Sequence, residues 1–188
     1  MSQFEFISVA VSLVLALGVT RLLEGLPIIA QSKNRCWVHW FWCVQMGVNF
    51  AMTWWIFWNY RGVEEWNLLK FLLILLYPAL SFVVAATLIP KNADTDTDWH
   101  SYFYNIRTTL FGTLGFAMAA QAVVVVVVTE APVFNQATYM IAAFVVIYML
   151  GFFTKSPKVQ HTIAVVHALM MALVLAPFAF YGFELAGN

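Results

Sequence analysis

Long apolar segments dominate this chain and restrict what it can fold into. A helix that crosses a bilayer needs about 20 predominantly apolar residues. Six segments reach or approach that length: 4–26, 36–60, 67–90, 108–129, 136–153 and 160–183. The polar stretches between them are short, so we predict an all-α integral membrane bundle of six transmembrane helices, forming a single transmembrane domain over residues 1–188.

The composition excludes several other classes of protein. Hydrophobic residues make up 63% of the chain and charged residues only 10%, whereas soluble domains carry about 25% charged residues. Nine basic residues balance nine acidic ones, so no basic field exists to attract a nucleic acid. The sequence also lacks the P-loop, nucleophile-elbow, zinc-protease and dinucleotide-binding motifs. We therefore expect no nucleic acid partner, no catalytic residues and no enzymatic activity.

The distribution of lysine and arginine predicts an orientation in the membrane. Seven of these residues flank the first, third and fifth loops: Arg21, Lys33, Arg35, Lys91, Arg107, Lys155 and Lys158. Arg61 and Lys70 alone flank the other side. Because cytoplasmic loops are enriched in Lys and Arg, we expect a multi-pass protein of the bacterial inner (cytoplasmic) membrane, with loops one, three and five in the cytoplasm and both termini outside.

Two helices carry small residues at strict four-residue spacing. The ladder on the first helix is Ser8, Ser12, Ala16 and Thr20, and the ladder on the sixth is Ala164, Ala168, Ala172 and Ala176. Small residues allow close approach of helix backbones in lipid. These stripes are therefore predicted to pack against each other or at the centre of the bundle.

Tryptophans cluster at both ends of the second helix. Trp37, Trp40 and Trp42 lie at the predicted cytoplasmic end, and Trp54, Trp55 and Trp58 lie at the outer end. Such a distribution is typical of the aromatic belts that anchor helices at the two membrane interfaces. The alternative is a binding site for an aromatic or lipidic molecule, such as a quinone or a carotenoid.

A few polar side chains lie within or beside the apolar segments. Gln45 and Asn49 are four residues apart on one face of the second helix, and Gln121 lies in the fourth. Amides at this depth favour hydrogen bonds between helices, with a ligand or substrate site as the alternative. Arg21 and Glu24 are predicted to form a local ion pair.

Histidine and cysteine offer a further candidate site. The residues are His39, His167, Cys36, Cys43, His100 and His161. Imidazole and thiolate groups bind zinc or copper, and two histidines from different helices can ligate a haem iron. No paired-cysteine or HxxxH spacing supports such a site. We therefore interpret the histidines as structural or interfacial and keep a metal or haem site as an alternative, so the sequence leaves the identity of any cofactor open.

Loop three and the aromatic stretch after it are the longest interruption of the apolar pattern. The stretch 99–107 combines five aromatic or basic residues: Trp99, Tyr102, Phe103, Tyr104 and Arg107. This composition favours an amphipathic segment on the membrane surface. We expect it to precede the fourth helix.

Several short motifs together resemble a family of small six-helix bacterial hypothetical membrane proteins. They are Cys36-Trp-Val-His39-Trp, Trp54-Trp55, Arg61, Trp66, Ala85 to Pro90, Tyr102-Phe103 to Arg107, and Phe153-Thr-Lys155 before His161. The resemblance implies the six-helix fold and no activity. Cys36 stands where the family pattern has an aromatic residue, and loop three is more acidic than that pattern.

Two main functional hypotheses follow from the sequence, and a haem- or metal-binding membrane protein that uses the cytoplasmic-side histidines is a third. The first is a non-enzymatic accessory, scaffold or lipid- or hydrophobe-binding subunit, with membrane lipids and either further copies of itself or another membrane protein as partners. The second is a small transporter or channel for a neutral or hydrophobic solute, whose path is lined by Gln45, Asn49 and Gln121. No Asp, Glu, Lys or Arg lies near a predicted helix centre, which disfavours an ion-coupled pump.

Overall fold

The computed structural model describes residues 2–181, with side chains for residues 2–176. It is all-α, as predicted, and its helices are α1 (Gln3–Gln31), α2 (Trp37–Phe57), α3 (Leu68–Leu88), α4 (Trp99–Thr129), α5 (Gln136–Phe153) and α6 (Pro157–Tyr181). A short 3-10 turn, Trp58–Gly62, follows α2. Residues 182 and 183 of the sixth predicted segment lie outside the described residues.

Each helix packs against the next one in the chain, which produces an up-and-down bundle. Loops one, three and five therefore lie at the same end. Two contacts join them there: the Ser32 hydroxyl donates to the Thr97 carbonyl over 3.5 Å, and the rings of Trp37 and His161 lie 4.9 Å apart. The lysines and arginines of these loops are thus gathered at one end of the molecule.

Five of the six helices have the length and hydropathy of a membrane span in the described part of the chain. These are α1, α3, α4, α5 and residues 157–176 of α6. The helix that falls short is α2, which carries five tryptophans together with His39, Gln45 and Asn49. Its length matches that of α3, so side-chain polarity and not length sets it apart.

The first helix packs through glycines and branched residues, not through its serine and alanine ladder. A Cβ placed on Gly18 would come within 2.2 Å of the Phe50 ring, and one on Gly25 within 2.2 Å of Ile89. Only glycine permits these close approaches. Ala16 and Thr20 of the predicted ladder are exposed on the outside of the bundle.

The predicted packing of the two small-residue ladders against each other is wrong. The main neighbours of α1 are α3 and α2, whereas α6 packs against α5 and α2. The hydroxyls of Ser8 and Ser12 donate to carbonyls of their own helix, Phe4 and Ser8. In the second ladder Ala164 is buried, Ala168 and Ala176 are half-buried and Ala172 is exposed. Four-residue spacing drifts slowly around a helix of 3.6 residues per turn, so one neighbour cannot cover the whole ladder.

The fourth helix begins at Trp99, well before the predicted residue 108. Asp98 is its N-cap, because its carboxylate accepts hydrogen bonds from the backbone N–H groups of His100 and Ser101. Trp99 and Phe103 are fully buried. The segment predicted to lie on the membrane surface is therefore the first part of α4, and its aromatic rings belong to the core.

Buried side chains cap the C-terminal ends of α3 and α5. The last turn of a helix leaves carbonyl groups without intrahelical partners. At the end of α3, the carbonyl of Thr87 accepts from the Tyr102 hydroxyl, that of Leu88 from His39 Nε2 and that of Ile89 from Arg21. Arg21 also forms the predicted ion pair with Glu24, at 3.6 Å.

The end of α5 is capped from two directions. The Arg107 guanidinium donates to the carbonyls of Gly151, Phe152 and Thr154. The Gln160 amide of α6 donates to Gly151 and Thr154 as well. A cation at a helix C-terminus also interacts favourably with the helix dipole. Arg107 thereby connects α4 to α5, although it is only 4% exposed.

Candidate functional site

A mostly apolar cavity with a few polar side chains in its wall lies between helices α2 to α6. Its volume is about 40 Å³, more than the 10–15 Å³ that one water molecule needs and less than the ~150 Å³ of an engineered cavity that holds benzene. The polar and aromatic lining consists of Trp42, Gln45, Asn49, Phe144, Tyr148 and His167. Most of the remaining lining is aliphatic or methionine, with Met46, Met118 and Met171 among it.

His167 of α6 is held within an aromatic surrounding. Its ring centroid lies 4.8 Å from that of Trp42, 5.3 Å from Phe144 and 6.1 Å from Phe41. Its Nε2 is hydrogen-bonded to the Tyr148 hydroxyl over 2.9 Å. No acidic side chain is among the described residues that line the cavity, so the imidazole has no anion to balance a positive charge.

Two residues that line this cavity each carry a buried nitrogen without a hydrogen-bond partner. The nitrogens are Trp42 Nε1 and His167 Nδ1, on side chains that are 3% and 2% exposed. The other unpartnered buried atoms of the described side chains are Trp66 Nε1, Trp99 Nε1, Arg107 Nε and Gln160 Oε1. Arg107 and Gln160 make other hydrogen bonds, and none of the four residues lines the cavity. Unpaired buried polar groups are costly, and two of them belong to residues that line this cavity, which makes it the candidate site.

The three predicted amides have different surroundings. Asn49 lines the cavity and donates to the Tyr77 hydroxyl of α3 over 2.8 Å. Gln121 donates to the Tyr60 hydroxyl over 3.1 Å and is not part of the cavity lining. Gln45 lines the cavity and has no hydrogen bond to any described residue. Two of the amides therefore join separate parts of the bundle, while Gln45 makes no such hydrogen bond.

His39 occupies a separate site at the end of α3. It is fully buried, donates to the Leu88 carbonyl over 3.0 Å and stacks on Trp99 with ring centroids 4.7 Å apart. The Cys43 sulfur lies 4.0 Å from its ring nitrogens. These contacts account for the residue structurally.

The remaining histidines and Cys36 lie in different places at the same end. His100 is exposed and packs against Tyr104, with ring centroids 4.9 Å apart. His161 packs on Trp37, and Cys36 is a buried free cysteine just before α2. No three His, Cys, Asp or Glu side chains converge within the described residues in a way that could hold a metal ion.

The tryptophans of α2 divide between the outside and the core. Five of them are exposed: Trp37, Trp40, Trp54, Trp55 and Trp58, the last just beyond the helix end. Trp42 is the exception, since its ring packs edge-on to Phe111 at 5.2 Å and to His167. Its predicted interfacial position is wrong, because five residues beyond Trp37 correspond to about 140° around the helix axis.

Tyr148 and Arg107 are the important residues that the sequence did not single out as site residues. Tyr148 is one of seven tyrosines and has no distinguishing local pattern. The sequence does contain a signal for Arg107. Once α4 is known to begin at Trp99, an arginine among closely spaced aromatic residues favours a buried position.

Comparisons with protein-family models, with curated proteins and with solved structures find no match to this chain. The fold and the cavity define an all-α bundle with several apolar helices compatible with a multi-pass membrane protein. Arguments about function therefore depend on the geometry of the cavity.

Proposed function

We propose that this protein is a non-enzymatic, hydrophobe-binding subunit of a membrane assembly. The observation that carries the proposal is the mostly apolar cavity that Gln45, Asn49, Tyr148 and His167 line with polar side chains. Ligand sites are concave, mostly apolar and equipped with a few polar groups that orient the ligand. A volume of about 40 Å³ accommodates a small polar end group and not a whole lipid-like molecule.

The rim of the cavity supports this mode of binding. Gln45, Met118 and Met171 are half-buried, so the cavity is not sealed from its surroundings. Methionine side chains adapt to guests of different shape because they are unbranched and polarisable. The apolar part of the bound molecule would thus leave the cavity between helices while its polar end stays inside.

The proposed setting is the bacterial inner membrane, with α2 as the sixth span and loops one, three and five in the cytoplasm. The grouping of Lys33, Arg35, Lys91, Lys155 and Lys158 at one end of the bundle supports it. Single-cysteine labelling tests the orientation, since both native cysteines are buried. With a membrane-impermeant maleimide on spheroplasts, Glu64→Cys should react and Lys33→Cys should react only after lysis. The opposite pattern would invert the topology.

Native mass spectrometry tests the binding function. The protein is released gently from its own membranes and its mass is compared with that of the bare 21.3 kDa chain. Extra mass matching a small molecule is expected in the natural protein. Met118→Phe should remove it by filling the cavity, and Met149→Phe, on the exposed face of α5, should retain it. Bare chain in the natural protein would overturn the proposal, while extra mass of a protein would identify a partner.

A path for a neutral solute is the second candidate, because Gln45 and Asn49 line the same cavity. Substituting alanine for Gln45, Asn49 and Gln121 together should then abolish solute flux into proteoliposomes while the protein remains folded. Unchanged flux in the triple variant would eliminate this candidate.

A further inference from the structure

We infer that a groove between α5 and α6 binds a phospholipid with a net negative headgroup, whose phosphate lies against the Lys158 ammonium group while one acyl chain follows the groove. This α5–α6 groove shares no lining residue with the cavity described above. The inference rests on the proposed membrane setting, and it adds a lipid site that is independent of the cavity.

The α5–α6 groove is apolar over most of its length. Its apolar lining consists of Ile147 and Leu150 of α5 and Val159, Ile163 and Val166 of α6. Ile147 and Ile163 are buried, whereas Leu150 and Val166 are 53% and 38% exposed, so the groove is open to the surroundings of the bundle. Its volume is about 240 Å³, below the ~300 Å³ of small pockets that enclose a drug-sized ligand. A groove of this size and openness holds part of a chain along its side.

The groove begins at the end of the bundle that carries loop five. Lys158 lies in the first turn of α6, and Val166 lies eight residues later. Eight residues correspond to about 12 Å along a helix, and half of the hydrocarbon core of a bilayer is about 15 Å thick. In the proposed setting the groove therefore runs from the interface toward the membrane centre over most of one leaflet, as an acyl chain does.

The polar end of the groove is positively charged. Among the described residues that line it, Lys158 is the one charged side chain, and it is exposed and forms no ion pair within the described part of the chain. The Thr162 hydroxyl, the other polar group of the lining, already donates to the Lys158 carbonyl over 3.0 Å. Lys155 in loop five is a second exposed lysine. Basic groups beside a groove between membrane helices are complementary to anionic headgroups.

The surroundings of these lysines do not oppose an anion. A helix C-terminus carries partial negative charge on its free carbonyl groups. At the end of α5, the carbonyls of Gly151 and Thr154 are occupied by hydrogen bonds from Arg107 and from the Gln160 amide. The sequence contains no Asp or Glu from 131 to 183. This local excess of positive charge favours a net negative headgroup over a zwitterionic one.

Native mass spectrometry with added lipid tests the inference. The delipidated protein is titrated in detergent with phosphatidylglycerol or with phosphatidylcholine of the same acyl chains, and the fraction with one bound lipid is measured. We expect phosphatidylglycerol to bind at least about fivefold more tightly. Lys158→Gln should weaken its binding about fivefold, the effect of one lysine near an anionic headgroup. Lys33→Gln, at an exposed position of loop one, should leave the affinity unchanged.

A second pair of variants tests the position of the acyl chain. Val166→Phe places a ring in the groove and should weaken phosphatidylglycerol binding about tenfold, the effect of two methylene groups that no longer fit. Val165→Phe, at an exposed neighbouring position that does not line the groove, should not weaken it. Equal unfolding transitions of both variants in an SDS titration establish that they are folded.

The outcomes separate this inference from the proposed function. Equal binding of the two lipids, or an unchanged affinity in Lys158→Gln, would overturn the inference. Binding that inorganic phosphate displaces and Val166→Phe leaves intact would assign the lysines to a soluble anion and would overturn it too. Met118→Phe fills the cavity and should leave phosphatidylglycerol bound. Loss of the lipid in that variant would place it in the cavity, so that the inference fails and the proposed function stands.

Discussion

The two deeply buried histidines of this protein have opposite surroundings. His39 at the end of α3 donates to the Leu88 carbonyl and stacks on Trp99. His167 in α6 has its Nε2 bonded to Tyr148, but its Nδ1 faces no described partner. The two side chains are 0% and 2% exposed, so depth does not distinguish them.

The difference indicates which of the two histidines is the candidate for contact with a ligand. His39 satisfies a helix end that would otherwise leave a carbonyl unpaired, and its contribution is to stability. His167 and its neighbour Trp42 each keep one buried nitrogen unpaired, and both residues line the cavity. The same residue type therefore serves as structural contact in one region and as candidate ligand contact in the other.

The largest expected effect comes from removing the Arg107 cap at the end of α5, which is a structural contact like that of His39 at the end of α3. Arg107→Met leaves the carbonyls of Gly151, Phe152 and Thr154 without the guanidinium that bonds them. We expect a loss of about 3 kcal/mol in the free energy of unfolding, because buried hydrogen bonds to a charged group are lost. Unfolding by SDS titration in mixed micelles measures it. Arg61→Met, at an exposed position, is the matched control and should change little.

The comparison itself is tested by making the same substitution in both histidines. His39→Phe removes the donor to Leu88 and should lower the free energy of unfolding by about 1–3 kcal/mol. His167→Phe breaks the bond to the Tyr148 hydroxyl but also removes a buried nitrogen that has no partner, so it should cost less. Equal losses in the same SDS titration would contradict the distinction between a structural and a ligand-contacting histidine.

Single alanine substitutions of the amides should produce smaller, graded losses. Asn49→Ala and Gln121→Ala each break a hydrogen bond to a tyrosine, with Tyr77 and Tyr60 respectively, and should cost about 0.6–1.7 kcal/mol. Gln45→Ala breaks none to a described residue and should be neutral in unfolding experiments. A loss at Gln45 as large as at Asn49 would show that its amide is structural.

The smallest effect concerns Asp98, the N-cap of α4 at the end of loop three. Hydrogen bonds from the Ser101 hydroxyl, the Ser101 N–H and the His100 N–H lower the pKa of the Asp98 carboxyl. A lowered pKa means that the cap is complete above the ordinary aspartate value of about 3.9 and is lost as pH falls through the lowered one. The ¹³C resonance of the Asp98 carboxyl should therefore titrate below pH ~3.9.

The control for that titration is Asp98→Asn. Asparagine is about as good an N-cap as aspartate and does not titrate, so the Ser101 amide resonance should lose its acid-dependent shift while α4 keeps its first turn. Persistence of the shift in Asp98→Asn would assign it to another group.

The helices could be predicted from the sequence because their apolar length is a local property. Segments 36–60, 67–90 and 136–153 each contain a helix of the structure, shorter by a few residues at one or both ends in the first two. The start of α4 was missed because Asp98 and the buried rings of Trp99 and Phe103 give a pattern that also fits a surface segment. Whether this segment lies on the membrane surface or forms the first turns of α4 depends on the neighbouring helices that bury its rings.

The candidate site could be predicted only in part. Gln45, Asn49, His167 and Trp42 were all recognised as noteworthy, but under three separate interpretations: interhelical amides, metal ligands and interfacial aromatics. Their meeting at one cavity depends on the rotation of each helix about its axis. In a chain that is apolar on nearly every helix face, periodicity does not determine that rotation.

By itself, the sequence determined an all-α chain with membrane-compatible helices, since spanning length and the excess of apolar residues are fixed by composition along the chain. It also determined that the basic loops share one end, because an up-and-down order follows from short connections. Tertiary structure alone decided that Trp42 is internal, that His39 is paired and that His167 is not. The physical reason is that a hydrogen bond or a cavity is a relation between helices, and it exists only once their packing has placed the atoms together.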